Sequence, residues 1–242
     1  MALPLMDDLS QRSTRSELMD TESVSFEEFH ECLRTLGIIN TFTLAYRPTL
    51  GWFERMMAGA GSEQSISVID VGCGGGDMLR RIWRWARERH LDLELIGIDL
   101  NPWSKKSAEQ VTPKDAPIRF ETADVFSLDS SRHADFIVSS LFAHHLPDGE
   151  LIRFIKWMDC HATRGWFIND LHRHPVPYLF IKYAGRLLIS NRMNRHDGPV
   201  SVARAFTAFE WRHLLEEAGI PAERTRIEWF FPFRYGVSCR KA

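Results

Sequence analysis

A glycine-rich turn between an apolar segment and an amphipathic segment constrains the fold of this chain more than any other feature. Residues 66–71 form a mainly apolar run that predicts a buried strand. Residues 72–76 contain four glycines, and residues 78–86 carry apolar side chains at helical spacing. Glycine allows a sharp turn close to a ligand, and a helix N-terminus offers free N–H groups. We therefore expect a ligand to bind where this strand meets this helix.

Strand and helix patterns alternate along most of the chain. Further strands are predicted at residues 93–98, 118–122, 136–141 and 165–171. Helices are predicted at residues 25–40, 48–58, 78–86, 151–158 and 207–218, with a shorter one opening at Asn101. Residues 226–231 and 235–239 predict a terminal hairpin. This alternation favours an α/β fold in which a mostly parallel sheet carries helices on both faces.

Two segments fall outside this alternation. Residues 1–24 are polar and unpatterned and predict a mobile N-terminal arm, followed by one domain over residues 25–242 that begins with helices at 25–60. Residues 172–206 are too long for a strand-to-helix connection and predict an inserted lid with its own structure. Within this insertion, residues 196–199 predict a turn before a short helix.

The acidic residues around the glycine turn discriminate between cofactor classes. A dinucleotide site favours the spacing G-x-G-x-x-G. Here Gly72 and Gly74 fit, but Asp77 occupies the third position and Asp70 ends the strand. Two carboxylates disfavour a pyrophosphate, so a nicotinamide-dependent oxidoreductase is the weaker interpretation.

The spacing around this turn resembles a known family. Asp70, Gly72, Gly74 and Gly76 match the D-x-G-x-G-x-G motif of class I S-adenosylmethionine (SAM) dependent methyltransferases. Three further segments match in order, namely Asp99 at the end of the second strand, residues 122–125 and the D-x-V-x-x-S…H-H-L-P-D pattern over residues 135–148. The last pattern is similar to that of quinone-biosynthesis methyltransferases.

The resemblance implies a fold, a cofactor and a set of binding residues. The family has a Rossmann-like seven-stranded sheet whose last strand is antiparallel, and it binds SAM. The resemblance assigns Asp99 to the ribose hydroxyls and Asp124 and Val125 to the adenine. It places Leu100 and Ser140 in the same cofactor site, and Arg47 beside the SAM carboxylate. The product is S-adenosylhomocysteine (SAH).

Methyl transfer to an acceptor that carries a proton requires a group to assist its departure. His144 and His172 are the candidate catalytic residues at predicted strand ends, and His145 and Asp170 lie beside them in sequence. Each has a structural alternative, since His144 belongs to a family-wide segment and His172 precedes a basic loop.

The lid sequence favours a small, largely apolar or aromatic acceptor. Residues 177–189 combine apolar side chains with Lys182 and Arg186, so this segment covers an apolar pocket, contacts a membrane surface or packs on its own domain. We expect methylation at oxygen of a phenol, polyketide-like compound or quinol. Methylation at carbon, methylation of RNA or protein, and SAM binding without catalysis stay open as alternatives. An Asn/Asp-Pro-Pro-Tyr motif would favour nucleic acid, but residues 139–142 read Ser-Ser-Leu-Phe.

Composition limits the remaining possibilities. The net charge is −2, which disfavours non-specific nucleic-acid binding. The four cysteines are widely spaced and predict neither a disulfide framework nor a zinc site, so we expect a cytoplasmic protein without a metal. No apolar run is long enough to span a membrane. We expect a monomer or a homodimer whose partner is a small-molecule acceptor.

Overall fold

A computed structural model describes residues 8–58 and 65–241 of the chain. The strands are β1 (Ile66–Val71), β2 (Leu93–Asp99), β3 (Ile118–Thr122), β4 (Ala134–Ser140), β5 (Ala162–Leu171), β6 (Thr225–Phe230) and β7 (Arg234–Arg240). The helices are α1 (Leu18–Thr21), α2 (Phe26–Phe42), α3 (Arg47–Met57), α4 (Asp77–Arg87), α5 (Pro102–Val111), α6 (Asp148–His161), α7 (Pro175–Leu188), α8 (Arg192–Arg204) and α9 (Ala208–Glu217).

The seven strands form one sheet in the order β3-β2-β1-β4-β5-β7-β6. Strands β1 to β5 pair in parallel, and β7 runs antiparallel to both β5 and β6. The predicted mostly parallel seven-stranded sheet with an antiparallel last strand is therefore confirmed. Within the described ranges, no helix is both long enough and apolar enough to cross a bilayer.

Apolar side chains cover both faces of the sheet. On one face, Trp52 of α3 stacks on Phe167 of β5 at 5.3 Å and meets Phe136 edge-on at 5.4 Å. On the other face, Phe154 of α6 and Trp211 of α9 are fully buried in a second cluster. Burying large aromatic side chains on each face contributes about 2–3 kcal/mol per side chain, which holds the helices against the strands.

Local capping signals fix where several helices begin. Ser25 and Thr207 each form a capping box. The hydroxyl accepts from the N–H of a glutamate three residues later, and the carboxylate of that glutamate accepts from the N–H of the capping residue. Asn101 caps α5 by accepting from the N–H of Trp103, with Pro102 in the first turn. These bonds satisfy N–H groups that have no partner inside the helix, and they confirm the predicted helix starts.

The insertion after β5 consists of α7 and α8, which pack on each other. The predicted turn at residues 196–199 is wrong, because these residues lie inside α8 and Pro199 is in the helix interior. Asp197 explains the difference, since its carboxylate accepts hydrogen bonds from the N–H groups of Leu18 and Met19 at 2.8 and 3.1 Å. Burial of Val200 adds to this tertiary support. Such contacts override local turn preferences.

The described part of the predicted arm, residues 8–24, lies against the insertion. The N–H of Ser13 donates to the carbonyl of Ala203 at 2.9 Å, and α1 packs on α8. The guanidinium of Arg12 donates to the carbonyls of Arg204 and Leu146 and pairs with Asp148. The predicted mobility of this segment stays a prediction, and its place on α8 was not foreseen from its unpatterned sequence.

The glycine turn depends on a close contact that only glycine permits. Gly72 has φ +70°, and a Cβ at this position would lie 2.6 Å from Cδ2 of Phe142. Leu141 has φ +57° directly after β4, in a region that costs energy for a non-glycine residue. This conformation turns the chain so that the Phe142 ring covers Gly72.

Replacing Gly72 by alanine is expected to lower the free energy of unfolding by about 2–5 kcal/mol, because a left-handed residue costs about 1–2 kcal/mol and overpacking about 1–3 kcal/mol. Gly219→Ala is the matched control, since Gly219 has φ +71° with nothing within 4 Å of an added Cβ. Urea unfolding of both variants separates the two contributions. Equal losses would contradict the importance of the Phe142 contact.

Candidate functional site

The carboxyl ends of the parallel strands bring the predicted cofactor residues together. Val71 at the end of β1 pairs with Ile98 of β2 and Ser139 of β4. The residues that follow these three, Gly72, Asp99 and Ser140, therefore line one crevice at the edge of the sheet. Ligands of such sheets bind at this edge.

Asp99 joins the glycine turn to the end of β2. Its Oδ2 accepts from the N–H of Gly74 at 2.8 Å, and its Oδ1 accepts from the N–H of Asn101 at 2.9 Å. The side chain of Ser104 also donates to Asp99. A carboxylate offers about four acceptor positions, so one stays open for a ligand hydroxyl. The carboxylate is thus held in place before a ligand arrives.

Asp124 and Val125 follow β3 on the same edge. Asp124 is exposed, and its Oδ1 accepts from the N–H of Phe126 at 2.9 Å, which forms a tight turn. Val125 is buried beneath it, whereas Leu100 beside Asp99 is 73% exposed. An apolar side chain this exposed at the crevice suits contact with a flat ring.

The crevice carries an excess of negative charge. Burial, together with the carboxylates of Asp99 and Asp77, raises the pKa of Asp70 well above its usual range. Burial also raises the pKa of Asp99, although N–H donors oppose this. Asp77 forms an ion pair with Arg80 and accepts from the hydroxyl of Tyr46 at 3.2 Å. A cationic ligand would relieve this repulsion.

Two buried polar atoms at the crevice are free to bind a ligand. Among the described residues, Oδ1 of Asp70 and Oγ of Ser140 have no hydrogen-bond partner. Leu33 of α2 lies over Gly74 and Gly75. SAM carries an ammonium and a sulfonium, so unpartnered acceptors in an acidic crevice fit this cofactor.

Arg47 lies apart from this set. It is exposed at the first residue of α3. In the described part of the chain, no hydrogen bond or ion pair joins its side chain to the crevice. Its predicted contact with the SAM carboxylate stays a prediction.

His144 is buried between two carboxylates. Its Nδ1 lies 2.6 Å from Oδ1 of Asp170, and its Nε2 lies 3.4 Å from Oε1 of Glu17 in the arm. Burial lowers the pKa of His144, but the two carboxylates outweigh this effect and raise it to about 9. Burial likewise opposes ionisation of Glu17, yet bonds from His144 and Ser201 lower its pKa to about 2. Both ring nitrogens of His144 therefore face carboxylates.

The neighbouring His145 also contacts the arm. Its Nδ1 lies 2.8 Å from Oδ2 of Asp20, and its Nε2 lies 3.7 Å from Oε2 of Glu17. Arg204 donates to the carbonyls of both histidines, at 3.0 Å to His144 and 2.6 Å to His145. The backbone of the pair is thus fixed from α8 while the rings face the arm.

His172 lies just beyond β5 in an aromatic environment. Its ring packs on Tyr235 with centroids 4.7 Å apart, and Nε1 of Trp229 donates to its Nδ1 at 3.3 Å. Burial, together with the positive charges of His174 and Arg173, lowers the pKa of His172 to about 4. The ring is therefore neutral near pH 7, and this hydrogen bond places its proton on Nε2.

Arg234 is a buried cation with two N–H-bearing nitrogens that lack hydrogen-bond partners in the part of the chain that the structure describes. It begins β7 opposite Leu171 at the end of β5, and it is only 3% exposed. Its Nη2 donates to the hydroxyl of Thr43 at 3.3 Å, but Nε and Nη1 have no partner among the described residues. Burial lowers its pKa to about 10, against the opposing effects of Asp170 and Tyr46. An uncompensated buried cation is costly unless a ligand pairs with it.

Helix α7 presents an apolar face to solvent. Val176, Phe180 and Tyr183 are 53, 63 and 46% exposed and recur at helical spacing. Trp229 and Phe231 near His172 are 48 and 70% exposed. Exposed apolar side chains in such number mark binding surfaces.

Several residues of this site were not predicted from the sequence. Glu17 and Asp20 lie more than a hundred residues from the histidines they contact, so no local pattern links them. Arg234 did carry a signal, because it is the one charged residue in the otherwise apolar stretch over residues 229–237.

Comparison with known proteins identifies the domain. A family model described as a methyltransferase domain matches residues 48–221. A curated relative, the 2-methyl-6-phytyl-1,4-hydroquinone methyltransferase of Synechocystis sp., is 27% identical over 118 residues, which are 46% of this chain. The match spans 36% of that relative's length.

Solved structures share the fold at low sequence identity. Magnesium protoporphyrin IX methyltransferase from Synechocystis PCC 6803 with bound SAH aligns with a TM-score of 0.54 and 17% identity, over 82% of this chain and 84% of that one. A plantazolicin methyltransferase in complex with a triazolic desmethylPZN analogue and SAH aligns with a TM-score of 0.64 and 16% identity, over 88% of this chain and 91% of that one. These likenesses establish the fold of the sheet and its helices.

Proposed function

Because this chain belongs to the methyltransferase domain family, we propose that it transfers a methyl group from SAM to oxygen of a small, largely apolar or aromatic acceptor such as a phenol or quinol. The observation that carries the choice of acceptor is the buried Arg234 with two unpartnered donors. A guanidinium in this setting pairs with an oxyanion. A phenol gives such an anion on losing its proton.

The residues at the strand ends bind different parts of the cofactor. Asp99 is held by two backbone N–H groups in position to accept from the ribose hydroxyls. Asp70 and Ser140 offer unpartnered acceptors to the methionine portion. When bound, SAM supplies an activated methyl group on a sulfonium, so the protein mainly contributes alignment, which is worth roughly 7–11 kcal/mol.

His172 and Arg234 flank the carboxyl end of β5, where an acceptor would meet the cofactor. With the His172 proton on Nε2, the ring can donate a hydrogen bond to the acceptor oxygen. Arg234, opposite Leu171 at the same strand end, adds positive charge there, so an acceptor proton would leave to water more readily. Both ring nitrogens of His144 face carboxylates, which favours His172 over His144 as the residue in contact with the acceptor.

The exposed faces of α7 and the β6–β7 hairpin supply the apolar contacts. Phe180 of α7 and Trp229 of β6 both follow His172 along the chain and are exposed. A ring or acyl chain that covers these side chains removes apolar surface from water, at about 25 cal/mol per Å². This role is consistent with an acceptor lid formed by residues 172–206.

Methylation at carbon is the second candidate. The curated relative is named as a hydroquinone methyltransferase. A phenolate held by Arg234 is also nucleophilic at its ring carbons. Identification of the methylated atom by NMR of the product decides between the two outcomes.

Removal of the Asp124 carboxylate is expected to weaken SAM binding about tenfold, the effect of one lost hydrogen bond of about 1.5 kcal/mol. Asp129→Ala is the matched control, because Asp129 also accepts from the N–H two residues later, at 2.8 Å from Ser131, but lies outside the crevice. Calorimetric titration with SAM, and with NADH in parallel, measures the effect. Asp99→Ala should abolish SAM binding, and undiminished binding by that variant would contradict the assignment of the crevice.

Arg234→Met is expected to lower kcat/KM for a phenol acceptor at least a hundredfold while leaving the dissociation constant of SAM unchanged. The free energy of unfolding should not fall, because methionine fills the site without an unpaired charge. Methyl transfer to a panel of phenols and quinols, measured with labelled SAM, gives the kinetic values.

The exposed Arg226 on β6 provides the control variant Arg226→Met, which should behave as wild type. A parallel loss of stability and activity in Arg234→Met would assign Arg234 a structural role instead. A selective loss of SAM affinity would assign it to the cofactor carboxylate.

A further inference from the structure

The contact between the arm and the histidine pair has the chemistry of a metal centre. Glu17, His144 and His145 each offer one ligand atom, and these three atoms lie within 4.8 Å of one another. Two imidazoles and one carboxylate are a common ligand set for divalent first-row transition ions. The three residues come from two distant parts of the chain, the arm and the loop after β4.

The distances between the ligand atoms agree with coordination to one ion. Nε2 of His144 lies 3.4 Å from Oε1 of Glu17, and Nε2 of His145 lies 3.7 Å from Oε2. Two ligands bonded at 2.0–2.1 Å to a tetrahedral zinc ion are separated by roughly 3.3–3.5 Å. A strong charge-assisted hydrogen bond would instead bring nitrogen and oxygen to about 2.7–2.9 Å.

The surrounding carboxylates orient both rings for metal binding. Asp170 lies 2.6 Å from Nδ1 of His144, and Asp20 lies 2.8 Å from Nδ1 of His145. Metal-bound histidines usually donate their other ring N–H to such a carboxylate, which fixes the tautomer and aims the second nitrogen at the ion. Here both Nε2 atoms point to Glu17.

The carboxylate ligand is also positioned by a neighbour. The hydroxyl of Ser201 in α8 donates to Oε1 of Glu17 at 2.8 Å. Glu17 is 4% exposed and His144 2% exposed, so an ion at this place would be largely shielded from water.

We propose that Glu17, His144 and His145 bind one divalent transition-metal ion, with Zn²⁺ as the best match, and that this ion fastens the arm to the edge of the sheet. The site is independent of the proposed acceptor and of the methyl-transfer reaction. On binding, the two Nε2 atoms and the Glu17 carboxylate donate lone pairs to the ion, one water molecule completes the tetrahedral set, and any proton on the protein ligands leaves to solvent.

The test uses the full chain, freed of metal with a chelator that is then removed. Titration with Co²⁺ should produce the visible absorption of a tetrahedral site at one ion per chain, and Zn²⁺ should displace it. Glu17→Gln and His145→Gln should each weaken binding at least a hundredfold. Asp20→Asn should weaken it about 10–100-fold, as expected for a partner of a ligand.

His213→Gln is the matched control, because His213 forms a surface pair with Glu217 at 3.3 Å and belongs to no such cluster. This variant should bind metal as wild type does. Zn²⁺ should also slow tryptic cleavage after Arg15 in the wild-type chain and have no such effect in His145→Gln. Circular dichroism of each variant verifies that it is folded.

Absence of stoichiometric binding by the folded wild-type chain would overturn the proposal. Unchanged affinity in both Glu17→Gln and His145→Gln would do the same. In either case the cluster is an ion pair in which Glu17 and Asp170 hold a protonated His144.

Discussion

The hydrogen bond from the N–H of Gly74 to the carboxylate of Asp99 is the interaction on which the crevice depends. It joins the turn after β1 to the end of β2, so the glycine backbone and the acidic group share one position. The same turn holds Gly72, Gly74 and Gly76 in left-handed conformations, with Gly72 against the Phe142 ring. The backbone of the turn therefore determines the shape of the crevice, and the acidic side chains determine its charge.

The two faces of the strand ends carry opposite charges. Around the turn, burial and the carboxylates of Asp99 and Asp77 raise the pKa of Asp70, so a positively charged sulfonium nearby would favour its ionised form. At the end of β5, the buried Arg234 creates a positive environment. Under the proposed function, a positively charged methyl donor and a negatively charged acceptor would be drawn to adjacent places, which is the arrangement that a displacement between them requires.

The sequence predicts most of the fold because the fold depends on local signals. The apolar run at β1 ends at the glycines, and the capping boxes at Ser25 and Thr207 mark helix starts that the structure confirms. It fails where distant residues decide the outcome. The hydrogen bonds of Asp197 to the arm help to keep α8 helical through Pro199. No sequence pattern near Asp197 predicts these bonds. For the same reason the candidate site could be placed at the strand ends, but Glu17 beside His144 could not.

The docking of the arm has a consequence for how the chain reaches its final state. Hydrogen bonds join Arg12 to Arg204 and Ser13 to Ala203, so the contacting residues are separated by nearly two hundred positions. A ribosome releases the N-terminal side of a chain first, and closing so long a loop costs entropy that is repaid only when the far partner is present. The arm is therefore synthesised long before its partners in α8. Completion of the surface around His144 thus requires the chain through Ala203 and Arg204.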